Sequence, residues 1–333
     1  MYLKELSTRW NKNLNEFLWN EWSSVGVPGY LRKSNNNICD PEALFVFSLH
    51  QSRFDVRLFD EIFDWVIKND RWLSYQRIKT FARQYESNEI NRTLQAFSRS
   101  VYNATRNVRL KIFLNFADIK DESPGSFFLN PDISELPIAS SFDENFKSAG
   151  WLRSPMLLRN KSSNIPFDSD RNLIFKLRAL FGISPRAEIL AYLLCNERVS
   201  ASEIIGSTGY SKPAVYDTLN DLVIGKYIDQ YNINGSMKYF VDFNRWNHFL
   251  KMDKVLPVWI DWQRVFVAIY KFSFFLIENT NSNISDYIIK SNLITMYEIL
   301  SDAFVASGIL NPFNKTINIE NAFDIFPDNP IQF

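Results

Sequence analysis

The stretch from Ser200 to Phe243, SASEIIGSTGYSKPAVYDTLNDLVIGKYIDQYNINGSMKYFVDF, constrains the fold more than any other part of the chain. It opens with Ser200 and Glu203 in S-x-x-E spacing, a capping box in which each residue satisfies an orphan backbone group of the other's turn. Ile204 and Ile205 supply apolar surface, and Thr208-Gly209 then breaks the helix, Gly209 being free to adopt the left-handed backbone of a tight turn. Ser211 is placed to cap a second helix, and Pro213 is tolerated in its first turn because the amide it lacks would be unpaired there anyway. Val215, Leu219 and Leu222 recur at i, i+4 and i+7, one buried stripe that turns Lys212, Tyr216, Asp217 and Asn220 outward. Gly225 is expected to close this helix with a left-handed cap.

Two aromatic and β-branched runs follow, Tyr227 to Ile233 and Met237 to Asp242, separated by Asn234-Gly235-Ser236. Asn-Gly favours positive φ and is a strong short-range signal for a hairpin. Upstream, Ser184 and Pro185 begin a helix whose inward stripe is Ile183, Ala187, Leu190 and Leu194. Helix, helix, tight turn, helix and hairpin, in that order, make a winged helix-turn-helix, a module that lays its last helix in a DNA major groove. The run LFGISPRAEILAYLLCNERVSASEIIGSTGYSKPAVYDTLNDLVIGKYI resembles the core of the bacterial arsenic-sensor and multiple-antibiotic-resistance repressors, over residues 175 to 245.

That resemblance implies sequence-specific binding of double-stranded DNA by a bacterial transcriptional regulator. It places Lys212, Tyr216 and Asn220 on the groove-facing side of the recognition helix and Ser211 at its N-terminus. Asn234, Gly235 and Ser236 would form the wing tip, with Lys238 beside it. The cysteine cluster of the arsenic sensors is absent, so metal sensing is not implied. The chemistry suits base reading: Asn220 can pair bidentately with adenine, Lys212 can reach guanine or phosphate, and Tyr216 can meet a phosphate or a thymine methyl. Residues 170 to 250 nevertheless carry nine Lys/Arg against eight Asp/Glu, whereas dedicated DNA-binding domains are usually basic. The alternative is therefore a protein-interaction module, such as an antitoxin or defence-system subunit, whose winged helix grips another protein.

A second cationic region lies at residues 71 to 111, with nine Lys/Arg against Glu86 and Glu89 and interleaved Trp72, Tyr75, Tyr85 and Tyr102. Arg92, Arg99, Arg106 and Arg109 from this run are candidate phosphate contacts that would supply salt-dependent affinity. Equally, these arginines can pair with Asp55, Asp60, Glu61 and Asp64 just upstream.

The whole chain has no formal net charge, 46% hydrophobic and 16% aromatic residues, which suits a globular protein and makes any nucleic-acid surface local. Its two cysteines, Cys39 and Cys195, form no disulfide framework, and the first residues carry charges with no apolar core of a signal peptide. A reducing cytoplasm is the expected location. Val258 to Ile277 is apolar enough to suggest a membrane span, but Asp261, Arg264 and Lys271 interrupt it. It reads instead as the centre of a bundle or a homodimer interface.

The expected fold is mainly α. An N-terminal helical domain covers residues 1–120, followed by a Pro-punctuated irregular connecting region at 121–169. The winged helix-turn-helix spans 170–250, a C-terminal helical segment for packing or dimerisation 251–310, and an irregular tail 311–333. Nothing points to catalysis or to a cofactor or metal: His50 and His248 are far apart, and no metal-binding spacing, nucleophile elbow or nucleotide loop is present.

Overall fold

A computed structural model describes residues 2–29, 36–119, 123–137, 141–251, 257–280, 282 and 284–309. The tail expected at 311–333 lies outside them. Across the described residues the protein is mainly helical, with two small two-stranded sheets. In chain order the elements are α1 (Tyr2–Ser24), α2 (Pro41–Gln51), α3 (Val56–Asn69), α4 (Tyr75–Gln84) and α5 (Asn88–Thr105). Then come β1 (Gly125–Ser126), α6 (Glu144–Lys147), β2 (Trp151–Leu152), α7 (Leu173–Phe181) and α8 (Pro185–Cys195). Finally there are α9 (Ala201–Thr208), α10 (Lys212–Ile224), β3 (Asp229–Ile233), β4 (Ser236–Phe240), α11 (Phe243–Leu250), α12 (Trp262–Asn279) and α13 (Asp286–Ala306).

Side-chain caps set most helix starts. Asp40 accepts from the amides of Glu42 and Ala43 at 3.2 and 3.1 Å, with Pro41 at the first helical position of α2. Asp55, Ser74 and Ser87 cap α3, α4 and α5 in the same way. The Ser200–Glu203 box forms as expected, the Ser200 amide donating to Glu203 at 2.7 Å. Ser184 and Ser211 occupy the cap positions of α8 and α10, but neither side chain makes a capping hydrogen bond. Gly225 is not left-handed either. It sits at φ −71°, and the following Lys226 takes the left-handed turn at φ 60°.

The buried residues fall into two clusters. The larger joins α1–α5, α12 and α13 with Phe127, Phe146, Trp151 and Ile165 from the irregular connecting region at 121–169. That region forms a wall of the core: β1 pairs in parallel with β2, and Phe127 packs edge-on against Phe59 and Phe146. The reason is its aromatics, which have no helical spacing yet carry large apolar area into the core. α12 lies among α1, α2 and α13, buried on most of its circumference. Trp10 donates to Ser273 at 2.7 Å, and Phe47 stacks on Phe266 at 4.6 Å. Of the two expected arrangements for this apolar stretch, the centre of a bundle is the one seen within the chain.

The smaller cluster gathers Ile38 with Leu173, Ile174 and Leu177 of α7, the inward stripes of α8, α9 and α10, and Ile228, Tyr239, Trp246 and Leu250. β3 and β4 pair antiparallel with Ile233 opposite Ser236, so the hairpin loop is Asn234-Gly235 alone and Ser236 belongs to the strand. Asn234 (φ 51°) and Gly235 (φ 81°) both adopt the positive φ that such a two-residue loop requires. Among the described residues no helix is long and apolar enough to cross a membrane.

Candidate nucleic-acid interface

The geometry of α10 follows from its alternation of buried and solvent positions. Val215, Thr218, Leu219 and Leu222 are buried against α8 and α9. Lys212, Tyr216, Asp217, Asn220 and Asp221 consequently share the opposite, exposed stripe. Tyr216 is 45% exposed, and the Lys212 ammonium lies 5.8 Å from its ring centroid, a helical i, i+4 pair that steadies both side chains. Asp221 is engaged by Arg186 of α8 at 2.7 Å. Nothing from the larger cluster lies over this stripe among the described residues.

The hairpin is tied to the helices by a third strand-like pairing. Val199, just before α9, exchanges two backbone hydrogen bonds with Tyr239 of β4, at 3.1 and 2.8 Å. This fixes the hairpin beside the N-terminus of α9. It also has an electrostatic consequence that the sequence reading missed. Lys238 lands 2.9 Å from Glu203, the capping-box carboxylate. Burial would raise the Glu203 pKa, but the Ser200 hydrogen bonds and Lys238 outweigh it and hold the carboxyl at about 2. The hairpin lysine is therefore neutralised by its own scaffold. In compensation, Arg198 is exposed beside the hairpin with its guanidinium 5.7 Å from the Tyr231 ring centroid. Its position just before the strand-like Val199 was the only available signal for it.

The turn between α9 and α10 is gripped by the larger cluster. Gly209 is left-handed at φ 73°, as expected, and a Cβ there would lie only 2.6 Å from the Phe81 ring of α4. Arg77, also on α4, donates from Nε to the Thr208 carbonyl at 2.9 Å. Its guanidinium pairs with Asp40 at 2.5 Å and with Glu42. Arg178 of α7 grips both Glu42 oxygens at 2.7 Å and donates from Nε to Glu188 of α8 at 2.7 Å. Tyr210 closes the set, its hydroxyl donating to Glu188 at 3.2 Å. Arg77, Arg178, Glu42 and Glu188 are all wholly buried. Burial pushes the Glu42 carboxyl up, but the Arg178 and Arg77 guanidiniums overcome that and hold it below its ordinary value. The same burial, with Glu188 nearby, raises the Tyr210 phenol, which stays protonated as a donor. A second link, Arg171 to both Glu21 oxygens at 2.7 Å, ties the entry of α7 to α1. Residues 136 apart in sequence meet in this seam, which no local pattern announces.

Part of the cationic run at 71 to 111 is engaged within the fold. Arg92 donates to the carbonyls of Ala149 and Gly150 at 2.8 and 2.6 Å and lies over Trp151. Arg99 binds Ser148 and the Leu114 carbonyl, each at 2.9 Å. Arg109 donates to the Leu73 carbonyl at 3.0 Å and covers the Tyr75 ring. Arg77 is buried in the seam. Arg106 is exposed and supplies the left-handed cap of α5 at φ 59°. The upstream acids are taken by other partners: Asp60 by Arg153 at 2.7 Å, and Asp64 by the amides of residues 160–162. Arg92, Arg99 and Arg109 thus bind backbone carbonyls of the larger core, while Arg71, Arg83, Arg106, Arg109 and Lys111 keep exposed surface.

His50 is buried and meets Glu89 at 2.9 Å, whereas His248 is exposed on α11. No group of three or more His, Cys, Asp or Glu among the described residues is placed to hold a metal ion. Searched against protein-family models, curated proteins and solved structures, the chain matches none of them.

Proposed function

We propose that residues 170–250 act as a winged helix-turn-helix that binds double-stranded DNA sequence-specifically, as the DNA-reading part of a bacterial transcriptional regulator. The observation that carries this reading is the α10 stripe, where Lys212, Tyr216 and Asn220 stand exposed and uncovered on a helix whose other side is buried. The Val199–Tyr239 pairing adds support, because it ties the β3–β4 hairpin to the segment entering α9, next to the helix that precedes α10. In this reading α10 enters the major groove with Ser211 at its leading end, Asn220 and Lys212 read base edges, and Tyr216 touches phosphate or a thymine methyl. The Asn234-Gly235-Ser236 tip and Arg198 lie along the backbone, while Lys238 contributes little charge because Glu203 already pairs it. Affinity for a near-neutral module then depends on two copies reading two half-sites, which makes a homodimer on DNA part of the proposal.

Selection from random duplex DNA with the purified full chain, followed by footprinting, tests it. A recovered motif protected in the footprint is expected, and failure to enrich any sequence at low salt overturns the reading.

One observation favours a second reading, a protein partner in place of DNA. A groove of about 910 Å³ runs between the C-terminal end of α10 and α11. It is bordered by Ile224, Tyr227 and Phe249, which are 71%, 57% and 60% exposed. Exposed apolar side chains clustered in this way mark protein contact sites more often than they occur by chance. A stable complex with another protein, with DNA ignored at low salt, is the outcome that selects this reading.

A further inference from the structure

Cations of the 71–111 run that remain exposed gather at one place on the larger cluster. No acid occurs between Glu89 and Asp118, and Arg106, Arg109 and Lys111 all fall in that stretch. They stand on the end of α5 and on the 3-10 turn Val108–Phe113 that follows it. Leu110 and Phe113 are buried on the inner side of this turn, which leaves Arg109 and Lys111 outside, beside the exposed Arg106. The nearest acid in the fold is already engaged: Asp70 accepts from Asn107 at 2.6 Å and from the Tyr75 hydroxyl at 3.3 Å. Arg71 stacks on Trp72, whose ring meets Phe167 next to the exposed Asp168. Because an acid adjoins it there, Arg71 is not counted in the set.

This patch and the leading end of α10 share one mount. Arg109 covers the ring of Tyr75, the first residue of α4, and donates to the Leu73 carbonyl. Further along the same helix Arg77 donates to the Thr208 carbonyl and Phe81 closes on Gly209, in the turn that leads into α10. A groove of about 380 Å³ is accordingly lined by Arg109 and Ile112 from the patch and by Ser184 and Tyr210 from the smaller cluster. Tyr210 immediately precedes Ser211, the proposed leading residue of α10. The cations thus border the start of α10 at a separation held by buried contacts.

Exposed guanidinium and ammonium groups without intervening acids suit a polyanion. Val108 and Ile112 are 65% and 44% exposed among them, but two aliphatic side chains on a short turn do not make the continuous apolar face that enters a membrane surface. Continuity with the start of α10 points to the backbone of a duplex. We propose that Arg106, Arg109 and Lys111 bind phosphates of the duplex that α10 reads, flanking the half-site on the side of Ser211. This rests on the DNA reading of α10 and supplies cations that the nearly neutral 170–250 module lacks. Such contacts add salt-dependent affinity and fix register, but they read no base.

Salt titration and hydroxyl-radical footprinting of the full chain test this, on the duplex recovered by selection with about ten flanking base pairs added at each end. The first variant is Arg106→Gln with Lys111→Gln, and the second adds Arg109→Gln. Because Arg109 also covers Tyr75, the second is compared by thermal melting. The unmodified chain is expected to protect a flank beyond the half-site. The slope of log K against log salt should become shallower by about two in the double variant and about three in the triple. Flank protection should be lost with the selected motif unchanged. Asn220→Ala should do the reverse, weakening the motif preference and leaving slope and flank in place. A double variant whose slope stays within about half a unit of the parent overturns the proposal while the α10 reading stands. So does a footprint without the flank, or a double variant that loses motif preference. Failure of the unmodified chain to bind any duplex at low salt removes the α10 reading and this proposal together.

Discussion

The seam around Glu42 and the exposed stripe of α10 use the same kinds of residue to opposite ends. In the seam, Arg77 and Arg178 are stripped of water and held by Asp40, Glu42 and Glu188, so their charges are consumed within the fold. On α10, Lys212 and Asn220 keep their hydration and remain open to an outside partner. The difference is one of desolvation: a buried ion must find its partners inside the molecule, whereas an exposed one has little to gain there. The seam also passes through Thr208 and Tyr210, which belong to the turn that aims α10. The helix that is free to read a partner is therefore held in place by charges that are not.

This contrast breaks most sharply in the seam itself. Glu42→Ala leaves two guanidiniums buried without their shared carboxylate and is expected to cost about 3–5 kcal/mol in a denaturant titration. Loss of less than about 1 kcal/mol would mean the seam is ornamental. The same carboxylate sets an acid limit. Its folded pKa lies below the ordinary glutamate value, so its contribution is fully present above the unfolded pKa and is lost as pH falls through the folded one. Denaturant midpoints should hold steady from about pH 7 to 5 and fall below about pH 4, with Glu42→Gln flattening that fall.

At the exposed α10 stripe, the proposed DNA reading predicts that Lys212→Ala and Asn220→Ala each weaken specific binding by about 1–3 kcal/mol while leaving the melting temperature unchanged. Unaltered affinity and footprint in the double variant would remove α10 as the reader. Between the two regions, Gly209→Ala forces a left-handed alanine against Phe81 and should cost about 1–2 kcal/mol of stability. If α10 is aimed by this turn, DNA affinity falls with it at temperatures where the variant remains folded.

The smallest effect is at the β3–β4 hairpin. Glu203→Gln keeps a capping-box side chain but releases Lys238, so the salt slope of DNA binding should steepen by about one. By contrast, Arg99→Gln should lower stability and leave that slope alone, because Arg99 is engaged with Ser148 and the Leu114 carbonyl. A change of slope in Arg99→Gln would place Arg99 on the nucleic-acid surface.

What could be read directly from the residues was local. The Ser200–Glu203 box, Asp40-Pro41, the left-handed Gly209 and the Asn234-Gly235 loop each depend on a few neighbours in sequence, and each stands where its pattern placed it. The inward stripe of α10, and with it the outward set of Lys212, Tyr216 and Asn220, came from helical periodicity alone. Gly225 shows the limit even at this scale: a glycine permits a left-handed turn without requiring one, and Lys226 took it.

Tertiary structure decided which charges are spent and which remain. The carbonyls that Arg92, Arg99 and Arg109 meet, and the Glu203 carboxylate that Lys238 meets, are brought to them by packing and by the hairpin, not by sequence neighbours. The apolar α12 met α1, α2 and α13. Backbone propensity is fixed by covalent neighbours, but the partner of a charged group is chosen by whatever the fold brings within about 3 Å once water is excluded. For this chain the sequence alone determined where the helices and the hairpin begin and turn, and packing alone determined which of its ions are left to bind something else.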